Sequence, residues 1–148
     1  MLKRIRSDIS TFNEVSLLDG MNVILADRAE DSDETESTNG LGKSTFVRIV
    51  HFCLGSDFGR EKVLNHPELK GVTFFLDFIW NDLECTVSRS TIREKYLRVT
   101  GEFLKGLDIE STDLGEGVAE ISLESWKTAL AERYYPEASI GKPSTIQL

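Results

Sequence analysis

Residues 72–90 carry the most regular alternation of apolar and polar positions in the chain. A period of two places one set of side chains on a single face of a β-strand. With a turn signal at Asn81 and Asp82, the pattern predicts an antiparallel hairpin, and a third strand follows as a meander. The predicted strands cover residues 72–80, 84–90 and 96–99.

Two segments near the start of the chain predict a buried strand and a helix. Residues 21–26 form the short apolar run of a buried strand, and residues 44–54 carry apolar side chains at helical spacing until Gly55 ends them. The order strand, loop, helix is therefore expected here. Weaker patterns predict strands at residues 2–5 and 12–18, a loop at residues 101–117 and a helix at residues 124–133.

The segment between that strand and that helix predicts a phosphate-binding loop. Such a loop needs converging backbone N–H groups, the positive end of a helix dipole and a mobile cation. Lys43 can reach the β- and γ-phosphates, Ser44 can offer its hydroxyl to Mg²⁺, and Thr45 can donate to the α-phosphate. The pattern G-x-x-x-x-G-K-[ST] has glycine where this chain has Ser37. The segment reads Ser37-Thr38-Asn39-Gly40-Leu41-Gly42-Lys43-Ser44-Thr45.

Residues 27–36, just before this loop, are rich in carboxylates, with Arg28 as the one basic residue. Such a run repels itself and stays solvated, which predicts a flexible acidic insertion. Carboxylates near a γ-phosphate weaken nucleotide binding unless Mg²⁺ or Arg28 screens them. A tolerated surface loop is favoured over a gate.

Composition and charge place the chain in a broad class. With 148 residues, 40% hydrophobic and 28% charged, it is expected to form one domain over residues 1–148. The formal net charge of −8 argues against a broad basic face for nucleic acid. No apolar run approaches the roughly 20 residues needed to span a bilayer, so a cytoplasmic location without a membrane partner is expected.

The remaining candidate chemistry is sparse. Cys53 and Cys85 fall in a predicted helix and a predicted strand, and are interpreted as small buried hydrophobes. His51 and His66 have no partners at ligand spacing, so no zinc site is predicted. The basic clusters are interpreted as solvated strand edges and loops rather than a DNA patch. They comprise Lys3, Arg4, Arg6, Arg89, Arg93, Lys95 and Arg98.

Residues 39–45 resemble the Asn-Gly-x-Gly-Lys-[ST]-[ST] loop of ABC-class ATPase heads, particularly the SMC, RecF and RecN-like group with coiled-coil insertions. Residues 12–17 and 20–24 are similar to that group's opening strands. Residues 52–55 are similar to a bacterial branch of coiled-coil ATPases that occurs beside phage-defence components. The resemblance implies an α/β fold, the N-terminal lobe of a P-loop NTPase head, with a mixed sheet whose antiparallel meander packs beside the P-loop strand and helix.

The resemblance also implies the ligands and partners. ATP and Mg²⁺ are the implied cofactors, with Ser44 as the magnesium ligand, and the catalytic residues stay unassigned. No Walker B Asp-Glu pair and no signature motif follow the loop. The family takes these parts from a C-terminal lobe, missing from this chain, and from the second head of a dimer, here a homodimer; Gln147 is a candidate start of a glutamine loop. The implied nucleotide-binding residues are Asn39, Gly40, Leu41, Gly42, Lys43, Ser44 and Thr45.

The leading hypothesis is an ATP-binding half-site that hydrolyses ATP only with a C-terminal lobe and head dimerisation. Its pathway, DNA repair, chromosome maintenance or anti-phage defence, and DNA as a partner come only from the resemblance. One alternative is a non-catalytic nucleotide-sensing module or a truncated partner of a full-length head. A small-molecule kinase is disfavoured, because an antiparallel hairpin follows the loop where such kinases keep a parallel sheet.

Overall fold

A computed structural model describes residues 1–24, 43–60 and 63–135 of the chain. In these residues, seven strands form one sheet and two α-helices accompany it. The strands are β1 (Leu2–Ser7), β2 (Val15–Ser16), β3 (Thr73–Trp80), β4 (Leu83–Ser90), β5 (Tyr96–Gly101), β6 (Ser111–Asp113) and β7 (Val118–Ser122), and the helices are α1 (Lys43–Cys53) and α2 (Leu123–Tyr134). Short 3₁₀ turns lie at Phe58–Arg60 and Pro67–Leu69.

The strands follow the spatial order β2-β1-β3-β4-β5-β7-β6, and every pairing in the described residues is antiparallel. The predicted fold class is therefore wrong. A P-loop NTPase lobe is an α/β structure built on a parallel sheet, whereas the described residues form a mostly antiparallel sheet with two α-helices.

The prediction fails most clearly at the strand expected over residues 21–26. Met21, Val23 and Ile24 belong to no strand, and their exposed fractions are 89%, 68% and 42%. The last two positions of the predicted strand lie outside the described residues. An apolar run predicts a buried strand only if a neighbouring strand covers it, and no described strand pairs with residues 21–24.

A local turn occupies the backbone that precedes this run. The side chain of Asn22 accepts a hydrogen bond from the Leu18 N–H and donates one to the Leu18 carbonyl, both at 2.8 Å. The amide thus offers the backbone of Leu18 the donor and acceptor that a neighbouring strand would offer. The strand predicted over residues 12–18 is correspondingly reduced to Val15–Ser16.

The predicted meander is confirmed as β3, β4 and β5. β3 and β4 pair from Thr73↔Ser90 to Trp80↔Leu83, and Asn81 and Asp82 join them with φ of 45° and 63°. Positive φ at both central residues is typical of the type I′ turn, whose twist matches that of a hairpin. Both predicted helices are also confirmed, whereas β6 lies within the predicted loop and β7 was not predicted.

The core lies between one face of the sheet and the two helices. Phe52 of α1 meets Phe74 of β3 edge to face, with ring centroids 6.3 Å apart, and Trp126 of α2 packs near Phe78 of the same strand at 6.4 Å. Both helices therefore cover the same face. The other face carries polar side chains, among them Asp77, which accepts hydrogen bonds from Arg4 at 2.6 Å and from Thr86 at 2.8 Å.

Candidate phosphate site at helix α1

The predicted phosphate-binding residues reach the described structure only at the start of α1. The helix begins at Lys43, Ser44 is exposed in its first turn, and Thr45 is half-buried. The first N–H groups of an α-helix have no partner within the helix and can bind an anion. The side chain of Lys43 lies outside the described residues, as do Ser37, Asn39, Gly40, Leu41, Gly42, the acidic insertion 27–36 and Gln147.

The first turn of α1 carries no acidic side chain. A carboxylate there would repel a phosphate, so no side chain of the first turn itself opposes an anion at the positive end of the helix. The exposed hydroxyl of Ser44 belongs to the oxygen ligands that Mg²⁺ accepts. The described residues hold no group of three His, Cys, Asp or Glu side chains able to bind a metal.

Buried side chains fix α1 against the sheet. Ile49, Phe52 and Cys53 are at most 1% exposed. They recur at the three- and four-residue spacing that lines one helix face, while Ser44 and Val47 lie on the exposed side. The helix is therefore held against the sheet by its apolar face, with Ser44 exposed in its first turn.

The C-terminal end of α1 is closed by a Schellman motif. The N–H of Ser56 donates to the His51 carbonyl at 2.9 Å, and the N–H of Gly55 donates to the Phe52 carbonyl at 3.1 Å. Gly55 has a φ of +107°, the left-handed conformation that this motif requires and that glycine adopts readily. The prediction that Gly55 ends the helix is confirmed.

Arg89 of β4 holds the same helix end and was not predicted to do so. Its side chain is 1% exposed, so the interpretation of this residue as part of a solvated basic cluster is wrong. Nη1 donates to the carbonyls of Phe52 at 2.7 Å and Ser56 at 2.8 Å, and Nε donates to the carbonyl of Glu94 at 2.7 Å. The guanidinium also lies 4.2 Å from the centre of the Phe52 ring.

Burial dominates the electrostatics around Arg89. Desolvation lowers the pKa of Arg89 to about 10, and it raises the pKa of the neighbouring Cys53 thiol to about 12. The positive charge of Arg89 is stabilised by the carbonyl oxygens at the negative end of the α1 dipole. Nη2 is buried and has no hydrogen-bond partner among the described residues.

The period of the strand could have revealed this residue. Arg89 follows Cys85 and Val87 at every second position, and all three are buried on the inner face of β4. An arginine side chain suggests a solvent-exposed residue, whereas its position in the alternation of β4 indicates a buried one. In the structure, Arg89 is buried as its position indicates.

Other basic residues of the predicted clusters form ion pairs with nearby carboxylates. Arg93 forms an ion pair with Glu120 at 2.9 Å, and Arg98 lies 3.8 Å from the same carboxylate. Arg4 is paired with Asp77. These arginines are neutralised locally, which gives no support to a continuous basic patch.

Comparison with protein-family models, curated proteins and solved structures finds no match to this chain. Within residues 1–24, 43–60 and 63–135, neither α-helix has the length and apolar character needed to cross a membrane.

Proposed function

We propose that this chain binds the triphosphate of ATP, with Mg²⁺, at the N-terminus of α1. The observation that carries the proposal is the coincidence of motif and helix start: α1 begins at Lys43, the lysine of the phosphate-loop sequence, and Ser44 is exposed in the first turn. Phosphate binding at such a place needs free N–H groups and a firmly seated helix rather than a parallel sheet.

The roles proposed for the residues follow from their chemistry. Residues 39–42 supply backbone N–H groups, and Lys43 supplies a mobile positive charge for the outer phosphates. Ser44 supplies a hydroxyl to Mg²⁺, and Thr45 donates to the α-phosphate. Bound ATP supplies a phosphoanhydride whose hydrolysis releases the free energy used by an ATPase.

We further propose that this site is the ATP-binding half of a coiled-coil ATPase of the SMC, RecF and RecN-like type. Hydrolysis then requires groups from a C-terminal lobe and from a second copy, since no Walker B pair follows Lys43 in the 148 residues. A cytoplasmic location and a role in DNA repair, maintenance or phage defence go with this proposal. Binding without turnover, even with the complementing lobe, would favour a nucleotide-sensing module instead.

Calorimetric titration with ATP and Mg²⁺ tests the binding site. We expect saturable binding by the unaltered chain and at least tenfold weaker binding by Lys43→Ala, because the lysine charge is lost from the outer phosphates. Lys70→Ala removes an equal charge from an exposed position elsewhere and should bind like the unaltered chain. Equal affinity in Lys43→Ala, or no binding by any form, would refute the proposal.

A further inference from the structure

Arg89 joins three parts of the fold that are distant in sequence. It stands on β4, where it holds the last turn of α1 through Phe52 and the segment after the helix through Ser56. It also holds the turn before β5 through Glu94. A buried arginine is costly in an apolar core, and its three hydrogen bonds here all go to backbone carbonyls. The Arg89 side chain therefore ties the backbone at the end of α1 to the backbone of the turn before β5.

We propose that Arg89 is a positioning residue for the phosphate site, because it fixes the axis of α1 and so aims the helix N-terminus. The inference rests on the proposed function. The helix has 11 residues. At 1.5 Å per residue it is roughly 16 Å long, so a tilt of about 10° at the end held by Arg89 moves the phosphate-binding end by about 3 Å. A shift of that size would break hydrogen bonds to a phosphate.

The guanidinium geometry makes this role specific to arginine. Its rigid fork of five N–H donors reaches two carbonyls at the helix end and a third on the turn, while its flat face stacks on Phe52. A lysine at the same position keeps the charge and much of the length but presents a compact ammonium group without the fork. Arg89→Lys should therefore leave a folded chain in which the orientation of α1 is less tightly restrained.

Arg133 on α2 offers a matched control. Its Nε donates to the Phe103 carbonyl at 3.0 Å, its Nη2 donates to the Lys105 carbonyl, and its guanidinium lies 5.8 Å from the Phe103 ring centre. Arg133 thus fixes a loop to a helix by the same chemistry, and none of these three contacts involves α1. Arg133→Lys removes two hydrogen bonds to backbone carbonyls and a ring contact from a half-buried guanidinium, at a place that the proposal does not link to phosphate.

The experiment compares the ATP affinity of the unaltered chain, Arg89→Lys, Arg133→Lys and Lys43→Ala by calorimetry, with urea unfolding of each. We expect at least fivefold weaker binding in Arg89→Lys and less than a twofold change in Arg133→Lys. A purely structural role would lower stability in both arginine variants and leave the affinity of the folded protein unchanged. That result would overturn the proposal.

Two further outcomes distinguish failure of this inference from failure of the proposed function. If Arg89→Lys does not fold, Phe52→Leu removes the ring that stacks on Arg89 while keeping an apolar side chain, and it should also weaken ATP binding. Unchanged affinity in Phe52→Leu would overturn the proposal. If the unaltered chain binds no ATP, the proposed function fails and this inference falls with it. Binding that is lost in Lys43→Ala but unchanged in Arg89→Lys rejects the role of Arg89 alone.

Discussion

At Gly101, the last residue of β5, the chain has room for hydrogen only. Its φ is +103°, and a Cβ would overlap the backbone oxygen of Glu84 on β4. We expect Gly101→Ala to lower the free energy of unfolding by about 3 kcal/mol, because both the conformation and the space disfavour a methyl group. Urea denaturation measures the loss. Gly106→Ala, with φ of +77° and no atom within 4 Å of the added carbon, should lose about 1 kcal/mol; equal losses would contradict the clash.

The two buried thiols make stability depend on alkaline pH. Burial raises the pKa of Cys53 and of Cys85 from 9.0 to about 12. Both thiols keep their protons in the native state while the unfolded chain loses them, so their stabilising effect is complete below pH 9 and falls as pH rises from 9 to 12.

Urea denaturation at pH 8 and pH 10 measures this effect. We expect each thiol to reduce the free energy of unfolding by about 1 kcal/mol between these two pH values. Cys85→Ala should show a correspondingly smaller decrease than the unaltered chain, and an identical decrease would contradict burial of the thiol in the native state.

Single residues show where sequence interpretation succeeds and where it stops. The interpretation of Cys53 and Cys85 as buried hydrophobes is confirmed, since apolar neighbours in sequence share their helix or strand. The burial of Arg89 was not predicted, because the Phe52 carbonyl that accepts one of its hydrogen bonds lies 37 residues earlier in the chain. No local pattern reports whether such a partner exists, and without one a buried arginine would be too costly.

At the scale of elements, the start of α2 depends on one serine. Ser122 precedes the helix in an extended conformation, and its Oγ accepts a hydrogen bond from the Ser125 N–H at 3.0 Å. We expect Ser122→Ala to lower the free energy of unfolding by about 1 kcal/mol, because a helix N–H loses its partner. Thermal unfolding followed by circular dichroism measures the change.

Thr128→Ala is the control for this cap. Thr128 is exposed within α2, and its hydroxyl donates back to the Glu124 carbonyl at 3.1 Å. Alanine is the better helix former, so this change should be neutral or slightly stabilising. A larger loss in Thr128→Ala than in Ser122→Ala would contradict the capping role.

Elements with their own periodic pattern could be predicted, and elements that depend on distant partners could not. The hairpin of β3 and β4 carries its alternation and its turn within one segment. The strand expected at residues 21–26 needed a neighbouring strand that the described residues do not provide. β6 has three exposed residues and, among the described strands, pairs with β7 alone, so it has no buried alternation to reveal it.

At the scale of the whole molecule, the phosphate-loop motif led to the wrong fold class. The motif is a short sequence whose chemistry requires a loop and a helix, whereas the direction of the strands is decided by pairings between distant segments. The helix and the antiparallel meander were predicted correctly, whereas the parallel strands of a P-loop NTPase lobe are absent from the described residues. Of the predicted site, only Lys43, Ser44 and Thr45 lie in the described residues, so ATP binding stays a prediction.

The pairing of β1 with β3 has a consequence for the order of folding. Ser7 donates to the Thr73 carbonyl across 66 residues of chain, whereas β3 and β4 are joined by a two-residue turn. Closing a long loop costs more conformational entropy than forming a hairpin and is therefore slower. We expect the hairpin to be formed in the transition state and β1 to join afterwards.

Folding and unfolding rates measured against urea test this order. Val87→Ala in β4 should slow folding, whereas Ile5→Val in β1 should mainly speed unfolding; the reverse would reject it. On the ribosome, β1 would then emerge before β3, and the edge of β1 that pairs with β3 would stay open until β3 had been synthesised, even if β2 already covered the other edge.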